Sequence, residues 1–290
     1  MSSKNLEQLF RETAARLATS SCPFVEARLL IQAAGKMDEA EFFRRMSEPV
    51  KPSLERKLNQ LVRKRLSGWP VAYLLGRREF WGLPFRVNRS VLIPRPETEL
   101  VVEKALSLPL PPEPLILDLG TGSGNIAISL GKELPAARII ATDISLRALK
   151  LARENARLNQ LTNIIFIQSN LFKAFEQSKL SFDLIVSNPP YVAQDDWPEL
   201  ERPVKDFEPQ KALIAGRDGL KFIRQLVRKA GTFLKPGGFL VMEIGAGQAE
   251  ETARLLEAAW SQIEIISDYS GFPRVVSART GPAQSKTIKA

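Results

Sequence analysis

The first 75 residues carry apolar positions at helical spacing. A first helix is predicted from an apolar face formed by Leu6, Leu9, Phe10 and Leu17. Pro23 suits the first turn of a second helix, whose apolar positions include Val25, Leu29 and Leu30. A third helix should end at Gly68, before Pro70; its apolar positions are Leu54, Leu58, Leu61, Val62 and Leu66. Residues 1–75 are therefore expected to form a small helical bundle for binding or scaffolding.

Residues 76–95 change to aromatic and β-branched residues placed around a turn. The turn is Gly82-Leu83-Pro84, and the apolar positions around it are Phe80, Trp81, Phe85, Val87, Val91 and Ile93. This pattern predicts a β-hairpin that links two domains. Arginines lie among the aromatics, so stacking on RNA is one interpretation. We favour the other, in which the hairpin packs its aromatics on the main domain.

From residue 96 onward, short apolar runs alternate with amphipathic helical stretches. The predicted strands are residues 115–118, 138–142, 164–168, 182–187 and 239–244, with a final pair at 263–267 and 274–278. Helices are predicted between them, notably at 145–159 and 219–233. Because such alternation indicates parallel strands joined by crossover helices, the fold class is α/β, a doubly wound, Rossmann-like sheet of seven strands. This second domain is assigned to residues 96–290.

Composition and charge narrow the chemistry. The chain of 290 residues has no histidine and one cysteine, which excludes zinc hydrolases, Ser-His-Asp triads and disulfide frameworks; no metal is expected. No apolar run reaches the roughly 20 residues that span a bilayer, so a cytoplasmic protein without membrane contact is expected. The net charge of +9 favours an acidic partner such as nucleic acid. It equally fits a basic solvated surface, which we favour because no block of five basic residues occurs.

A glycine-rich turn follows the first predicted strand of the sheet. It reads Asp118-Leu119-Gly120-Thr121-Gly122-Ser123-Gly124, and its glycines let the backbone turn sharply and lie against a ligand. Asp143 ends the next strand, where one carboxylate can receive two ribose hydroxyls. The spacing differs from the dinucleotide fingerprint, and the Asp118 carboxylate suits the amino group of a methionine moiety. These residues predict a site for S-adenosylmethionine, in preference to NAD or to a turn without a ligand.

The tetrapeptide Asn188-Pro189-Pro190-Tyr191 follows the fourth predicted strand. Pro189 and Pro190 stiffen the loop. The side-chain oxygen of Asn188 and the carbonyl of Pro189 can each accept a hydrogen bond from an NH₂ group, which aims its nitrogen at a methyl donor and stabilises the positive charge that builds on it. Tyr191 can pack its ring against a planar substrate group. A stiff loop without chemistry is the alternative, which the nearby glycine turn disfavours.

Together these motifs resemble the release factor glutamine methyltransferases, the HemK or PrmC family, almost from end to end. The resemblance includes residues 65–76 (RLSGWPVAYLLG), 79–83 (EFWGL) and 91–99 (VLIPRPETE), and the last of these is specific to the family. Later segments that match are Glu208-Pro209, Asp218-Gly219-Leu220 and Glu243-Ile244-Gly245. The glycine turn and the Asn188–Tyr191 tetrapeptide belong to a wider class.

The resemblance implies methyl transfer from S-adenosylmethionine, leaving S-adenosylhomocysteine. The implied acceptor is the amide nitrogen, N5, of the glutamine in the Gly-Gly-Gln loop of class 1 peptide-chain release factors. The glycine turn and Asp143 would hold the cofactor, and residues 188–191 the glutamine. Where the family commonly has an aspartate for the adenine amino group, this chain has Asn170, whose oxygen can still accept a hydrogen bond. Leu171 stands where an aromatic is common. A monomer without stably bound nucleic acid is expected.

Three alternatives stay open from the residues themselves. An N6-adenine methyltransferase acting on DNA or RNA could use the same tetrapeptide on a flipped base, although no segment resembles a DNA-recognition domain. A glutamine methyltransferase of a ribosomal protein would share the catalytic core, so the N-terminal region is the discriminating feature. A non-catalytic module that binds a protein through the helical domain would need neither Asn188 nor the glycine turn.

Overall fold

The computed structural model describes residues 4–281, which divide into two compact units. The first unit contains the residues up to Arg77 together with Glu201–Phe207. The second contains Arg78–Leu200 and the residues from Glu208 onward. The sequence placed residues 201–207 in the later domain, whereas in the structure their contacts are with the N-terminal helices. The chain therefore passes between the units more than once.

Short amphipathic helices form the first unit. They are α1 (Leu6–Arg16), α2 (Pro23–Gly35), α3 (Glu39–Arg44), α4 (Pro52–Leu66), α5 (Val71–Leu75) and, from the later segment, the helix that is α9 in chain order (Arg202–Phe207). Their buried apolar side chains make one core: Leu6, Leu9, Ala14, Leu17, Ala27, Leu30, Ile31, Ala34, Met37, Phe42, Leu58 and Val62. The predicted helical character of this region is confirmed.

Local signals in the sequence set where these helices begin and end. Asn5 caps α1, because its side chain accepts from the Gln8 N–H while the Gln8 side chain accepts from the Asn5 N–H. Helix α2 begins at Pro23, and α4 ends before Gly68, whose φ is +102°. Val25, expected on the buried face of α2, is exposed because that face follows Ala27, Leu30, Ile31 and Ala34.

Two short strands make the predicted hairpin, β1 (Arg77–Phe80) and β2 (Leu83–Arg86). The turn consists of Trp81 and Gly82, one position earlier than predicted, and both residues have a positive φ. Phe80 and Phe85 are buried in a core cluster of the second unit. The expectation that the hairpin aromatics pack on the main domain is confirmed.

Seven strands build the sheet of the second unit. They are β3 (Leu115–Leu119), β4 (Arg138–Asp143), β5 (Ile164–Gln168), β6 (Phe182–Ser187), β7 (Leu234–Glu243), β8 (Trp260–Ser267) and β9 (Pro273–Thr280). Their order is β5-β4-β3-β6-β7-β9-β8; the strands from β3 to β7 run parallel to one another, and β9 is antiparallel to both β7 and β8. The helices are α6 (Glu99–Ser107), α7 (Asn125–Glu133), α8 (Leu146–Leu158), α10 (Lys221–Phe233) and α11 (Ala249–Glu257). The predicted seven-stranded α/β sheet is confirmed.

Strand β7 is the element whose start differs most from the prediction. It begins at Leu234 instead of residue 239, so Pro236, Gly237 and Gly238 lie inside the strand. Its pairing with β6 shifts register between Phe182 and Leu184. A proline and two glycines normally mark the end of a strand, but a register shift of this kind accommodates them.

Apolar side chains cover both faces of the sheet. In β3, Leu117 and Leu119 join one buried cluster and Ile116 joins the other, as the alternation of a strand requires. The central strands are thus buried on both sides, and the edge at the carboxyl ends of the parallel strands is where a ligand can reach the sheet. Within residues 4–281, every helix is too short or too polar to cross a membrane.

Candidate active site

The two sequence motifs come together at the carboxyl edge of the sheet. In the pairing of β3 with β6, Leu119 lies opposite Ser187, and the Ser187 hydroxyl donates to the Leu119 carbonyl at 2.7 Å. The next residues, Gly120 and Asn188, therefore begin their loops on neighbouring strands, which lie about 4.8 Å apart. Strand β3 has β4 on its other side, so the connections diverge here, as at the ligand-binding edge of doubly wound sheets.

The glycine turn is tied to the end of β4. The backbone N–H groups of Gly120 and Thr121 both donate to the carbonyl of Thr142, at 2.9 and 2.8 Å. Gly120 is exposed, and no atom of the described residues lies within 4 Å of the position that a Cβ would occupy there. At Gly124, by contrast, a Cβ would come within 2.9 Å of Ile128 Cδ1 and 3.2 Å of Ala152. Gly120 is thus open to a ligand, whereas Gly124 allows helix packing.

Asp118 lies beneath the glycine turn and is fully buried. Its Oδ2 accepts a hydrogen bond from the Thr121 hydroxyl at 2.6 Å, while no donor meets hydrogen-bonding geometry at its Oδ1 within residues 4–281. Burial raises the pKa of Asp118 to about 7, and the Thr121 hydroxyl and the Ala127 N–H oppose that rise. A nearby cation would favour the ionised carboxylate. Direct contact between Asp118 and a methionine amino group stays a prediction.

Asp143 lies at the end of β4, half-buried beside the same turn. Its two carboxylate oxygens accept from the backbone N–H groups of Gly122 and Ser145, at 2.9 and 2.8 Å. Burial raises the pKa of Asp143, and these hydrogen bonds oppose that shift. Because each carboxylate oxygen can accept more than one hydrogen bond, the fixed carboxylate still has acceptor capacity for hydroxyl groups. Ser123 is buried within the turn.

Asn170 and Leu171 follow β5, and the structure gives them different surroundings. Asn170 is exposed and lines a cavity of about 380 Å³ at the carboxyl ends of β4 and β5, together with Ile144, Gln168, Ser169, Lys173 and Ala174. Leu171 has a φ of +49° and packs against the buried cluster of the sheet. Adenine binding by Asn170 stays a prediction. Leu171 packs inward and is not among the residues that line the cavity.

The Asn188–Tyr191 loop presents two unused acceptors. Asn188 Nδ2 donates to the Thr98 hydroxyl at 2.9 Å. Within the described part of the chain, no donor bonds to Asn188 Oδ1 or to the Pro189 carbonyl. Pro189 is buried, and Pro190 is half-buried. These are the two oxygens that the sequence singled out as acceptors for an NH₂ group.

A buried network behind Asn188 was missed by the sequence reasoning. The Thr98 hydroxyl donates to Glu243 Oε2 at 2.5 Å, and the Tyr191 hydroxyl donates to Glu243 Oε1 at 3.1 Å. Burial raises the pKa of Glu243 to about 7, against the effect of these two hydrogen bonds. Burial also raises the pKa of the Tyr191 hydroxyl, and the Glu243 carboxyl adds to that rise. Thr98 and Glu243 stand in segments that carry the family resemblance, which was the available signal.

Two later segments of the chain also contact the Asn188–Tyr191 loop, at the carbonyl of Tyr191. Gln248 Nε2 donates to the Tyr191 carbonyl at 2.9 Å, and Gln248 Oε1 accepts from the Gly245 N–H. Gly219 packs so closely that a Cβ there would lie 2.4 Å from the Tyr191 carbonyl oxygen. The Tyr191 carbonyl is thus held both by a hydrogen bond from Gln248 and by the close packing of Gly219.

The fold and this sheet edge define the class of protein, an α/β methyltransferase. A family model described as "Methyltransferase small domain" matches residues 98–200. Among solved structures, a methyltransferase from Pyrococcus furiosus has the same fold, with a TM-score of 0.52 and 18% identity over 78% of this chain and 98% of that one.

Curated relatives narrow the class to one family. The model of the "PrmC N-terminal domain" matches residues 8–76. The release factor glutamine methyltransferase of Bradyrhizobium diazoefficiens is 39% identical over 96% of this chain and 96% of its own length. That of Fusobacterium nucleatum is 38% identical over 92% of this chain and 75% of its own length. The chain belongs to the release factor glutamine methyltransferase family, as the sequence motifs indicated.

Proposed function

We propose that this protein transfers a methyl group from S-adenosylmethionine to the N5 amide nitrogen of the glutamine in the Gly-Gly-Gln loop of class 1 release factors. The observation that carries the proposal is the register of β3 against β6, which starts the Gly120 turn and the Asn188 loop side by side. A cofactor at the first loop and an amide at the second would then be neighbours. Membership of the family supports the choice of a release factor as the substrate.

The residues at the glycine turn fit S-adenosylmethionine. Gly120 leaves open space where a Cβ would otherwise project, Asp143 keeps acceptor capacity for ribose hydroxyls, and Asn170 lines a cavity at the strand ends. The cofactor is cationic, and the buried Asp118 carboxyl, with its unpaired Oδ1, adds negative charge when ionised. We assign cofactor binding to these residues together with Thr121, Gly122, Ser123 and Gly124.

The Asn188 loop supplies what an amide acceptor needs. An amide nitrogen is a poor nucleophile because its lone pair is delocalised into the carbonyl group. When bound, S-adenosylmethionine supplies a methyl group on a positively charged sulfur. Asn188 Oδ1 and the Pro189 carbonyl accept hydrogen bonds from the NH₂ group, orient its nitrogen, and stabilise the positive charge that develops on it. Pro190 keeps the loop stiff, and Tyr191, anchored through its hydroxyl to Glu243, presents a ring for the planar amide.

We assign protein recognition to the helical unit, and we expect the enzyme to act as a monomer in the cytoplasm. The match of residues 8–76 to the N-terminal domain model of the family supports this assignment. The glycines that flank the substrate glutamine would let its loop enter a narrow cleft.

The direct test is methyl transfer from radiolabelled S-adenosylmethionine to a purified class 1 release factor. The parallel reactions use the same factor with the loop glutamine changed to alanine, a ribosomal protein fraction, and an adenine-containing duplex. Label on the unaltered release factor alone is the expected result. Label on the duplex or on a ribosomal protein would overturn the substrate assignment while leaving the Asn188 chemistry in place. Label on the alanine variant would show that another residue is modified.

A further inference from the structure

Asn188 is the outermost member of a hydrogen-bonded chain that runs into the core of the second unit. Its Nδ2 donates to Thr98 Oγ1 at 2.9 Å, and Thr98 Oγ1 donates to Glu243 Oε2 at 2.5 Å. Thr98 and Glu243 are each only 1% exposed, so water cannot substitute for a missing partner. Glu243 is the last residue of β7, and Thr98 ends the short turn before α6. Rigid elements therefore hold both residues.

The chemistry of the three groups fixes the direction of this chain. Ionised Glu243 is an acceptor only, so the Thr98 hydroxyl must give its single proton to the carboxylate. Thr98 Oγ1 can then only accept from Asn188, which selects the amide NH₂ end of Asn188 for the inner position. The flipped rotamer would set Asn188 Oδ1 against a hydroxyl oxygen with no proton between them, an unpaired buried contact. The oxygen of Asn188 is thereby left for the substrate.

We propose that Thr98 and Glu243 are positioning residues that hold Asn188 with its acceptor oxygen toward the substrate, and so restrict the methyl acceptor to a nitrogen that carries an N–H donor. The proposal rests on the function proposed above and deepens it. A carboxylate oxygen, a carbonyl or an unprotonated ring nitrogen offers no proton to Asn188 Oδ1. The second oxygen of Glu243 accepts from Tyr191, so one buried carboxylate orients both side chains of the tetrapeptide.

In the described part of the chain, Glu243 is held by hydrogen bonds and not by an ion pair. Burial has the largest effect on the pKa of Glu243, followed by the hydrogen bonds from Thr98 and Tyr191. The charges come last: Glu97 raises the pKa and Arg274 lowers it. Arg274 forms its ion pair with Asp268 at 2.9 Å, and Arg95 forms one with Glu208. No cation forms an ion pair with Glu243 within residues 4–281. Hydrogen-bond donors therefore hold Glu243, so its effect on the orientation of Asn188 can be tested without breaking an ion pair.

The test compares two changes at Thr98 with a control threonine, assayed at about pH 8, above the pKa of Glu243. Thr98→Val keeps the shape and removes the hydroxyl, whereas Thr98→Ser keeps the hydroxyl. Thr252→Val is the matched control, because Thr252 in α11 is buried and its hydroxyl has no hydrogen-bond partner in the described chain. Turnover, the Kd for S-adenosylmethionine and the thermal midpoint are measured for each variant.

A positioning role predicts a split between turnover and binding. Thr98→Val should lower kcat about 100-fold, the scale of a misplaced reacting group, and leave the Kd for S-adenosylmethionine within about twofold. Thr98→Ser should retain kcat within about threefold, and Thr252→Val should match the unaltered enzyme. Glu243→Gln keeps the size but can turn an NH₂ toward Thr98, so a kcat loss of about tenfold is expected. Normal turnover in Thr98→Val, or equal losses in Thr98→Val and Thr98→Ser, would overturn the proposal.

A binding measurement tests the selection of the substrate group without any turnover. With S-adenosylhomocysteine present, the unaltered enzyme should bind a release factor with its loop glutamine about tenfold or more tightly than the same factor carrying Gln→Glu, because the carboxylate has no N–H to donate. Thr98→Val should lose most of that preference, because the side-chain amide of Asn188 can then rotate and present its NH₂ group to the substrate. Retention of the full preference would contradict the proposal. If the unaltered enzyme labels the duplex instead, the function proposal fails, and the Thr98 series is read on that substrate, whose amino nitrogen also carries N–H.

Discussion

Single side chains at the sheet edge have separate duties. Asp118 lies under the glycine turn, and one of its carboxylate oxygens has no hydrogen-bond donor within residues 4–281. Asp143 lies beside the turn with both oxygens fixed by backbone N–H groups. Asn188 is bonded at its NH₂ end, and its oxygen has no donor among the described residues. We therefore expect the two aspartates to lie on the cofactor side of the site, and Asn188 on the substrate side.

Replacing Asn188 should separate turnover from cofactor binding. Asn188→Ala removes the side-chain acceptor, so kcat is expected to fall about 10²- to 10³-fold, as for the loss of one group that stabilises developing charge. The Kd for S-adenosylmethionine, measured by calorimetry, should stay within a few-fold. Asn59→Ala in helix α4, where Asn59 is half-buried and accepts a hydrogen bond from Arg16, is the control and should leave both quantities unchanged. An active Asn188→Ala enzyme would remove Asn188 from the mechanism.

The two buried carboxyls should make stability depend on pH in an unusual sense. Burial raises the pKa values of Asp118 and Glu243 to about 7, so the folded state binds their protons more tightly than the unfolded chain does. The contribution of these two groups to the free energy of unfolding is therefore largest below about pH 4. It falls as the pH rises from there through about 7. Glu243→Gln should reduce that fall by on the order of 2–3 kcal/mol. Urea denaturation at pH 5 and pH 8 gives the difference in the free energy of unfolding between the two pH values. The same difference in Glu243→Gln as in the unaltered protein would contradict this prediction.

How much of the site is visible in the sequence depends on how local its signal is. Asp118, Asp143 and Asn188 each follow a recognisable strand, so their place at the sheet edge could be predicted. Thr98 and Glu243 are 145 positions apart, and only the folded sheet brings them together behind Asn188. Leu171 is a different case: its positive φ and its packing into the core depend on backbone geometry that composition does not encode.

At the scale of elements, residues at or just after the ends of four strands, β3, β4, β5 and β6, make up the candidate site. The loop after β6 carries the tetrapeptide, and its position depends on the loop after β7 through Gln248 and on the turn before α10 through Gly219. The bridge between Val192 and Ile214 adds a further tie. The Asn188 loop is therefore braced by segments that have no part in the chemistry.

Gly219 offers a test of that bracing. Its φ is +76°, and an added Cβ would meet the Tyr191 carbonyl at 2.4 Å, a backbone atom that cannot rotate away. Gly219→Ala should lower the free energy of unfolding by about 1–3 kcal/mol and reduce kcat as the loop shifts. Gly82→Ala is the matched control, because the φ of Gly82 is +65° but no atom of residues 4–281 lies within 4 Å of its Cβ position. Equal turnover in the two variants would show that backbone strain alone matters.

Most strands could be predicted because apolar runs bounded by turn residues mark buried parallel strands. The start of β7 could not, since Pro236, Gly237 and Gly238 read as a break and only the shifted pairing with β6 absorbs them. The hairpin turn was misplaced by one residue for a similar reason, because Trp81 takes a positive φ that its side chain disfavours.

At the scale of the whole molecule, the chain does not visit its two units in sequence. Residues 201–207 leave the second unit, form α9 within the first, and return at Glu208. In the first unit, the rings of Trp69 and Phe207 lie 4.9 Å apart, and Lys64 Nζ lies 5.6 Å from the Trp69 ring. The N-terminal helices are therefore completed by a helix encoded far downstream.

That arrangement predicts a measurable coupling between distant parts of the sequence. Trp69→Ala and Phe207→Ala should each destabilise the protein, and the double variant should lose less than their sum by about 0.5–1.5 kcal/mol, the coupling of an aromatic pair. Guanidinium denaturation followed by circular dichroism gives the four free energies of the cycle. Additive losses would mean that the ring contact contributes nothing of its own.

The tight packing of Gly219 against Tyr191 also has a genetic consequence. Any single-base change in a glycine codon either leaves glycine in place, stops translation, or substitutes a residue with a Cβ. The nearest substitute already places that atom 2.4 Å from the Tyr191 carbonyl oxygen, and every larger one adds to the overlap. We therefore expect synonymous changes at codon 219 to be tolerated and missense changes to be selected against.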